Sequence, residues 1–128
     1  MAAPNVRNVV WFAATSTMIV VLLAAGLQSA DAELTKAAVN LRDCDPDGNG
    51  YYPPPSPSTC PSVLTVIPKG GTVYPICIYQ GSDVKGDNWW VYVQYGIYQS
   101  TRKYGFVADY YVDCGGVVCG YRLCSNPM

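Results

Sequence analysis

The sequence predicts a small all-β domain stapled by disulfides, and four observations carry that expectation. Apolar and polar residues alternate with period two over short stretches separated by Gly, Pro, Asp and Asn clusters, with no helical periodicity between them. The composition favours strands and turns, with 11 Tyr, 12 Gly and 10 Pro among 128 residues. Charged residues are only 13 %, which with this many aromatics describes a chain able to bury a core rather than a disordered one. Finally, six cysteines all lie beyond a segment of export character.

That segment is residues 1–32. A lightly basic start with Arg7 precedes an uncharged stretch that is densest in Met18-Ile19-Val20-Val21-Leu22-Leu23-Ala24-Ala25-Gly26. Ser29-Ala30-Asp31-Ala32 then places small residues where a signal peptidase reads them, so residues 1–32 are expected to be a helical signal peptide cleaved after Ala32. Thr15, Ser16 and Thr17 shorten the apolar part, and acidic Asp31 and Glu33 follow it, which argues against a membrane anchor. All six cysteines and all 11 tyrosines remain in the mature part, which is small enough to need cross-links for stability.

Residues 33–38 read as an N-terminal tail and residues 39–113 as the folded unit. Val39-Asn40-Leu41-Arg42 alternates as a half-buried strand does. Residues 43–61 form a polar, proline-rich insertion. Residues 63–67 are strand-like and end in the turn Pro68-Lys69-Gly70-Gly71. Residues 72–79 follow as a strand in which Pro75 requires an edge or a bulge. A polar turn is expected over 81–88, then the strongest strand, Trp89-Trp90-Val91-Tyr92-Val93-Gln94-Tyr95. After a turn over 96–103, a last strand runs from Tyr104 to near Val112. Residues 114–128, with Cys114, Cys119 and Cys124 among glycines, read as a disulfide-linked tail.

In this order the elements resemble the bacterial-type SH3 domain, a five-stranded small barrel. The resemblance rests on Val39-Asn40-Leu41-Arg42 for the opening "VNVR" strand and on Val63 to Gly70 for "V-L-x-x-L-P-K-G". Trp90-Val91-Tyr92-Val93-Gln94-Tyr95-Gly96 corresponds to "W-x-x-V-x-Y-G", and Tyr104-Gly105-Phe106-Val107 with Tyr110-Tyr111-Val112 to the closing "G-Y-V" and "Y-L/V". It covers roughly residues 38–113. The resemblance implies a five-stranded SH3-like barrel and a non-catalytic, secreted or cell-wall-associated binding role. The 43–61 insertion, the extended 80–88 turn and the cysteine-rich tail depart from the family pattern, and the insertion falls in the loop that borders the family's ligand groove.

Several chemistries are excluded or weakened. Histidine is absent, which removes Ser-His-Asp, Cys-His and histidine-ligated zinc sites. Eight basic against nine acidic residues, a net charge of -1, give no basic footprint for nucleic acid. Asp109 and Asp113 flank the Tyr110-Tyr111 pair but read as solvated turn residues rather than an acid/base pair. Asp43-Cys44-Asp45-Pro46-Asp47-Gly48 imitates the first half of a calcium loop, yet position twelve is Pro54, so a polar turn capped by Asp side chains is expected. No metal and no cofactor are expected, and no enzyme activity.

The cysteine spacing C-x4-C-x4-C is not a zinc spacing, so Cys44, Cys60, Cys77, Cys114, Cys119 and Cys124 are expected to form disulfides. Cys44–Cys60 is the preferred pair, with Cys77 joined to one of the three C-terminal cysteines. Tyr51-Tyr52-Pro53-Pro54-Pro55-Ser56-Pro57 is polyproline-like. It is read as a stiffened, exposed disulfide loop rather than as a ligand occupying its own groove. Alternation places Trp89, Val91, Val93 and Tyr95 on one face of their strand and Trp90, Tyr92 and Gln94 on the other. Trp90, Tyr92, Tyr110, Tyr111, Tyr51 and Tyr52 are therefore the candidate ligand-binding residues, most other aromatics being filling. The functional expectation is a secreted module that recognises a peptide, a cell-wall component such as peptidoglycan, or a secreted protein, without contact to nucleic acid or membrane once the signal is cleaved. The alternative is a secreted cysteine-rich inhibitor or effector acting on a protein target through the Cys44–Cys60 loop.

Overall fold

A computed structural model describes residues 32–113 and 120–126. The predicted signal helix, save Ala32, lies outside the described residues, as do Cys114 and Cys119. Among the described residues the chain is all-β: a curled, antiparallel half-barrel sheet with two disulfides and one short 3-10 helix, Asp109–Tyr111. Six strands follow one another as β1 (Glu33–Leu34), β2 (Val39–Asp43), β3 (Ser62–Ile67), β4 (Thr72–Val84), β5 (Asp87–Tyr95) and β6 (Lys103–Ala108). Their order across the sheet is β1-β4-β5-β6-β2-β3.

Four differences from the sequence expectation have physical causes. Residues 33–38 are not merely a tail, because β1 pairs with the start of β4, Glu33 opposite Val73. The last strand stops at Ala108 in the 3-10 helix, after which Val112 bridges back to Thr35. Thr35 is the seam: its amide donates to Gly71 O (3.0 Å), its carbonyl accepts from Gly70 N (2.8 Å), and its hydroxyl donates to Pro68 O (2.7 Å). A short, charged-then-polar stretch such as Glu33-Leu34-Thr35-Lys36 carries no strand periodicity, so only these backbone pairings reveal it. Third, the polar stretch 81–88 is mostly strand. β4 continues to Val84 through an irregularity between Gln80 and Val84, then turns at Lys85 and Gly86 (φ 53° and 91°) and pairs Val84 with Asp87. Two left-handed residues in a two-residue hairpin match the twist of the strands they join. The fourth concerns the loop over 43–61 and is described below. Pro75 sits at a register irregularity of β4, the kind of position at which a strand tolerates proline.

The alternation on β5 and β6 divides the interior in two. Val91 and Val93 of β5 and Val107 of β6 meet Leu41, Ile67, Val73, Ile78 and Val112 inside the curl, with Trp89 and Tyr95 packed against them. Trp90 and Phe106 with Ala108 point to the opposite face, where they pack around the Cys44–Cys60 disulfide. A curled sheet normally leaves one face to water. Here both faces are covered.

The second cover is the 43–61 loop. Pro55 and Cys60 are fully buried, Ser56 nearly so, and the Tyr52 ring meets Tyr92 and Phe106 edge-on at centroid distances of 5.8 and 5.6 Å. The expectation of an exposed, merely stiffened loop is therefore corrected: the proline-rich segment folds down onto its own sheet. Sequence reasoning missed this because Pro-Pro-Pro-Ser-Pro shows no apolar periodicity, whereas a proline ring packs on an aromatic face irrespective of period. The Gly81–Asp83 irregularity receives it. Ser82 N donates to Pro55 O (2.9 Å) and Trp90 Nε1 donates to Ser82 O (3.0 Å).

The disulfides fix this arrangement. Cys44–Cys60 spans 16 positions and Cys77–Cys124 spans 47. By loop-closure entropy they contribute about 3 and about 4 kcal/mol respectively. Cys124 also brings the tail alongside β4, where Ile78 N donates to Arg122 O (2.9 Å) and Cys124 N donates to Ile78 O (2.8 Å).

Candidate functional site

The six aromatic candidates separate into distinct surroundings. Tyr52 and Tyr92 are packing residues of the loop–sheet interface. Tyr92 also stacks on Tyr104 at 6.3 Å, and its hydroxyl is pushed well above the usual tyrosine range, first by burial and then by its hydrogen bond with Tyr52. Tyr51 lies on the exposed side of the loop. Trp90 is only 2 % exposed, and its indole N–H is already bonded to Ser82 O, so its polar handle is not offered outward. Tyr110 is partly exposed on the 3-10 helix and meets Tyr111 edge-on at 5.1 Å.

Trp90 and Tyr111 nevertheless come together, in a cleft of about 310 Å³. β5 supplies Trp90 to its wall, because the Val91/Val93 alternation turns Trp90 away from the main core. The 3-10 helix supplies Tyr111, because β6 ends at Ala108 and the chain turns tightly there. Pro57 of the loop also lines the cleft, and β2 contributes Asn40 and Arg42. The lining mixes Val39, Val84, Trp90 and Ala108 with Asn40, Arg42 and the Tyr111 hydroxyl, so it offers both apolar contact and polar groups to a ligand.

Arg42 is held by its pairing opposite Phe106 and by donating from Nη1 to the carbonyl of Cys60 (3.2 Å). Two lysines meet the Tyr110 ring. Lys36 Nζ lies 5.4 Å and Lys85 Nζ 5.8 Å from the centroid of the Tyr110 ring. Pro57, Asn40, Arg42, Lys36 and Lys85 are the residues sequence reasoning did not select. The family-like order of elements marks the loop as a groove border, but nothing local signals that residues 36 and 85 converge on one ring.

The calcium-like run uses its carboxylates internally. Asp43 Oδ1 accepts from Asp45 N (2.9 Å), while Asp45 accepts from Asn49 N (3.1 Å) and Gly50 N (2.7 Å). These are turn caps. Asp109 is buried at the start of the 3-10 helix and Asp113 is exposed, so the two carboxylates sit in unlike environments.

No protein-family model matches the chain, and no curated protein or solved structure matches it.

Proposed function

We propose that the chain is an exported, non-catalytic binding module of the bacterial-type SH3 kind, which takes a peptide or cell-wall component in the cleft between Pro57 and Tyr111. The observation that carries this reading is the convergence of Trp90, Tyr111 and Pro57 on one cleft of about 310 Å³ with a mixed apolar and polar lining. The antiparallel β4-β5-β6 run, the 3-10 helix after it and the return of Val112 to Thr35 are in keeping with the family resemblance. Two disulfides are compatible with export. The downward packing of Tyr52, Pro55 and Cys60 leaves less of the loop to present to a target, which favours the cleft over the loop as the working surface.

The test is retention of the disulfide-bonded full chain on purified peptidoglycan, other cell-wall polymers and an immobilised peptide panel, alongside Tyr111→Ala. Tyr111, only partly buried though it packs against both clusters, is a milder probe than the buried Trp90, and the variant's urea midpoint shows that it still folds. Retention that falls about tenfold or more in Tyr111→Ala supports the reading, on the scale of losing one well-packed aromatic anchor. Absence of retention on every surface overturns it.

A further inference from the structure

We infer that the tip of the β5–β6 hairpin, residues 96–102, docks the protein on an anionic lipid surface. Ile97 and Tyr98 enter the interface, and Arg102 and Lys103 face the lipid phosphates. This is independent of what the cleft takes, and it reverses the sequence expectation that the exported chain makes no contact with membrane.

The tip is ordered by its own bonds. The carbonyl of Tyr98 accepts from Thr101 N (2.9 Å), Arg102 N (2.8 Å) and Thr101 Oγ1 (3.3 Å), and Gln94 Nε2 donates to the carbonyl of Gly96 (2.9 Å). Gly96 takes a left-handed φ of 92°, and a Cβ there would stand 3.0 Å from the Thr101 carbonyl oxygen. The Ile97 and Tyr98 side chains take no part in these bonds. They belong to neither apolar cluster and are 58 and 70 % exposed. Two adjacent large apolar side chains held in water at a fixed apex bring the fold no packing, so their use lies outside it.

Charge says what that outside surface is. From Asn88 to Ala108 the sequence holds no acidic residue, while Arg102 and Lys103 stand together behind the apex, both exposed. In a chain of net charge -1 this is a local positive excess. Arg102 Nη1 donates to the Tyr104 hydroxyl (3.3 Å), which donates in turn to Gln94 Oε1 (3.3 Å), so neutral partners place the guanidinium. Glu33, on the strand beyond β4 and β5 from Lys103, accepts from the Tyr121 hydroxyl (3.0 Å). A phenol ring rests at headgroup depth, an aliphatic side chain reaches the acyl boundary, and basic residues meet phosphate. A soluble polyanion would use Arg102 and Lys103 but give Ile97 nothing. Gln99 and Ser100 share the apex, which confines insertion to the interface.

The same hairpin keeps the cleft clear of the bilayer. Register pairs Trp90 with Ala108, both cleft residues, and Tyr95 with Lys103 beside the tip. Five residues of strand, about 16 Å, separate the two ends.

Residues from Ala32 onward form one compact unit that holds both disulfides and both apolar clusters. The test therefore uses residues 33–128, disulfides intact, so that the apolar run of residues 18–26 cannot bind lipid by itself. The protein is sedimented at millimolar lipid with phosphatidylcholine vesicles and with vesicles of equal parts phosphatidylcholine and phosphatidylglycerol. The expected result is binding to the phosphatidylglycerol vesicles that weakens with added salt. It should fall about fivefold or more in the Ile97→Ser, Tyr98→Ser double variant, and likewise in Arg102→Gln, Lys103→Gln. Unchanged urea midpoints show that both variants fold. Absence of binding to either vesicle overturns the inference, as does binding that neither variant weakens. Equal binding to pure phosphatidylcholine overturns the anionic preference. Binding that soluble polyphosphate abolishes and the Ile97→Ser, Tyr98→Ser variant retains overturns lipid as the partner. Tyr111-dependent retention on peptidoglycan is read separately, so the failure of one reading is distinguishable from the failure of the other.

Discussion

The carboxamide of Asn126 bonds both backbone groups of Tyr52, 74 positions earlier: its Oδ1 accepts from Tyr52 N at 3.0 Å and its Nδ2 donates to Tyr52 O at 2.9 Å. One side chain thus stands in for a neighbouring strand. The same Nδ2 lies 3.3 Å from the Tyr79 hydroxyl, so the tail, the proline-rich loop and β4 meet at a single amide. Asn126→Ala is expected to destabilise the protein by about 0.5–1.5 kcal/mol, because Tyr52 N loses its partner and Tyr52 O keeps only the longer bond from the Tyr79 hydroxyl (3.4 Å). Faster hydrogen exchange at the Tyr52 amide, with the β5 and β6 amides still protected, is the signature. Asn126→Asp retains the acceptor but loses the donor and should fall between the two.

Gly81 is where the loop meets the sheet. A Cβ at this position would collide with the carbonyl oxygen of Pro55 and lie 2.8 Å from Cδ1 of Trp90. A backbone atom on one side and a buried indole on the other leave little room to give. Gly81→Ala should therefore cost about 2 kcal/mol, within the range for overpacked sites, and undock the loop. A lowered urea midpoint together with greater quenching of tryptophan fluorescence checks this.

Phe106 is the ring on which Tyr52, Tyr79 and Tyr92 all converge, at centroid distances of 5.6, 6.2 and 5.0 Å. Phe106→Ala is expected to cost about 3–5 kcal/mol, the usual loss for a fully buried aromatic. Phe106→Leu should cost less, since it keeps most of the volume. Denaturant unfolding of both variants measures the difference.

Alkali should weaken the fold through Tyr92. Its hydroxyl titrates higher in the folded chain than the ordinary value of 10.0, mainly because burial disfavours the phenolate. The unfolded chain thus releases this proton first. The stabilisation is fully present below pH 10.0 and is lost as the pH rises from there toward the folded-state value. Tyr92→Phe should flatten the decline in urea midpoint between neutral and strongly alkaline pH, and an unchanged slope would remove Tyr92 as its source.

What could be read in advance follows from how far each determinant reaches along the chain. The faces of β5 are legible because Val91 and Val93 alternate with Trp90 and Tyr92 over neighbouring positions. The Cys44–Cys60 pairing is legible because the two cysteines bracket one loop. Alternation says which face Trp90 occupies, but not that Pro55 will cover it. That depends on a glycine at 81 and an amide at 126, neither of which is informative alone. The candidate site behaves likewise: Trp90 and Tyr111 are conspicuous by type, whereas Lys36 and Lys85 acquire meaning only when the β1 seam and the β4–β5 hairpin bring them to Tyr110.

The packing of residues 52–60 also changes which alterations the chain tolerates. Polar, proline-rich connections ordinarily accept insertions and drift freely in sequence. This one has Tyr52, Pro55, Ser56 and Cys60 directed into the protein and a length set between two fixed points, the disulfide and the Pro55–Ser82 bond. A saturation library should find these four positions as restrictive as Val91 or Val107, while Pro46, Asp47 and Ser58 a few residues away accept most replacements. A single residue inserted between Tyr52 and Pro55 should be as damaging as one inserted within β5.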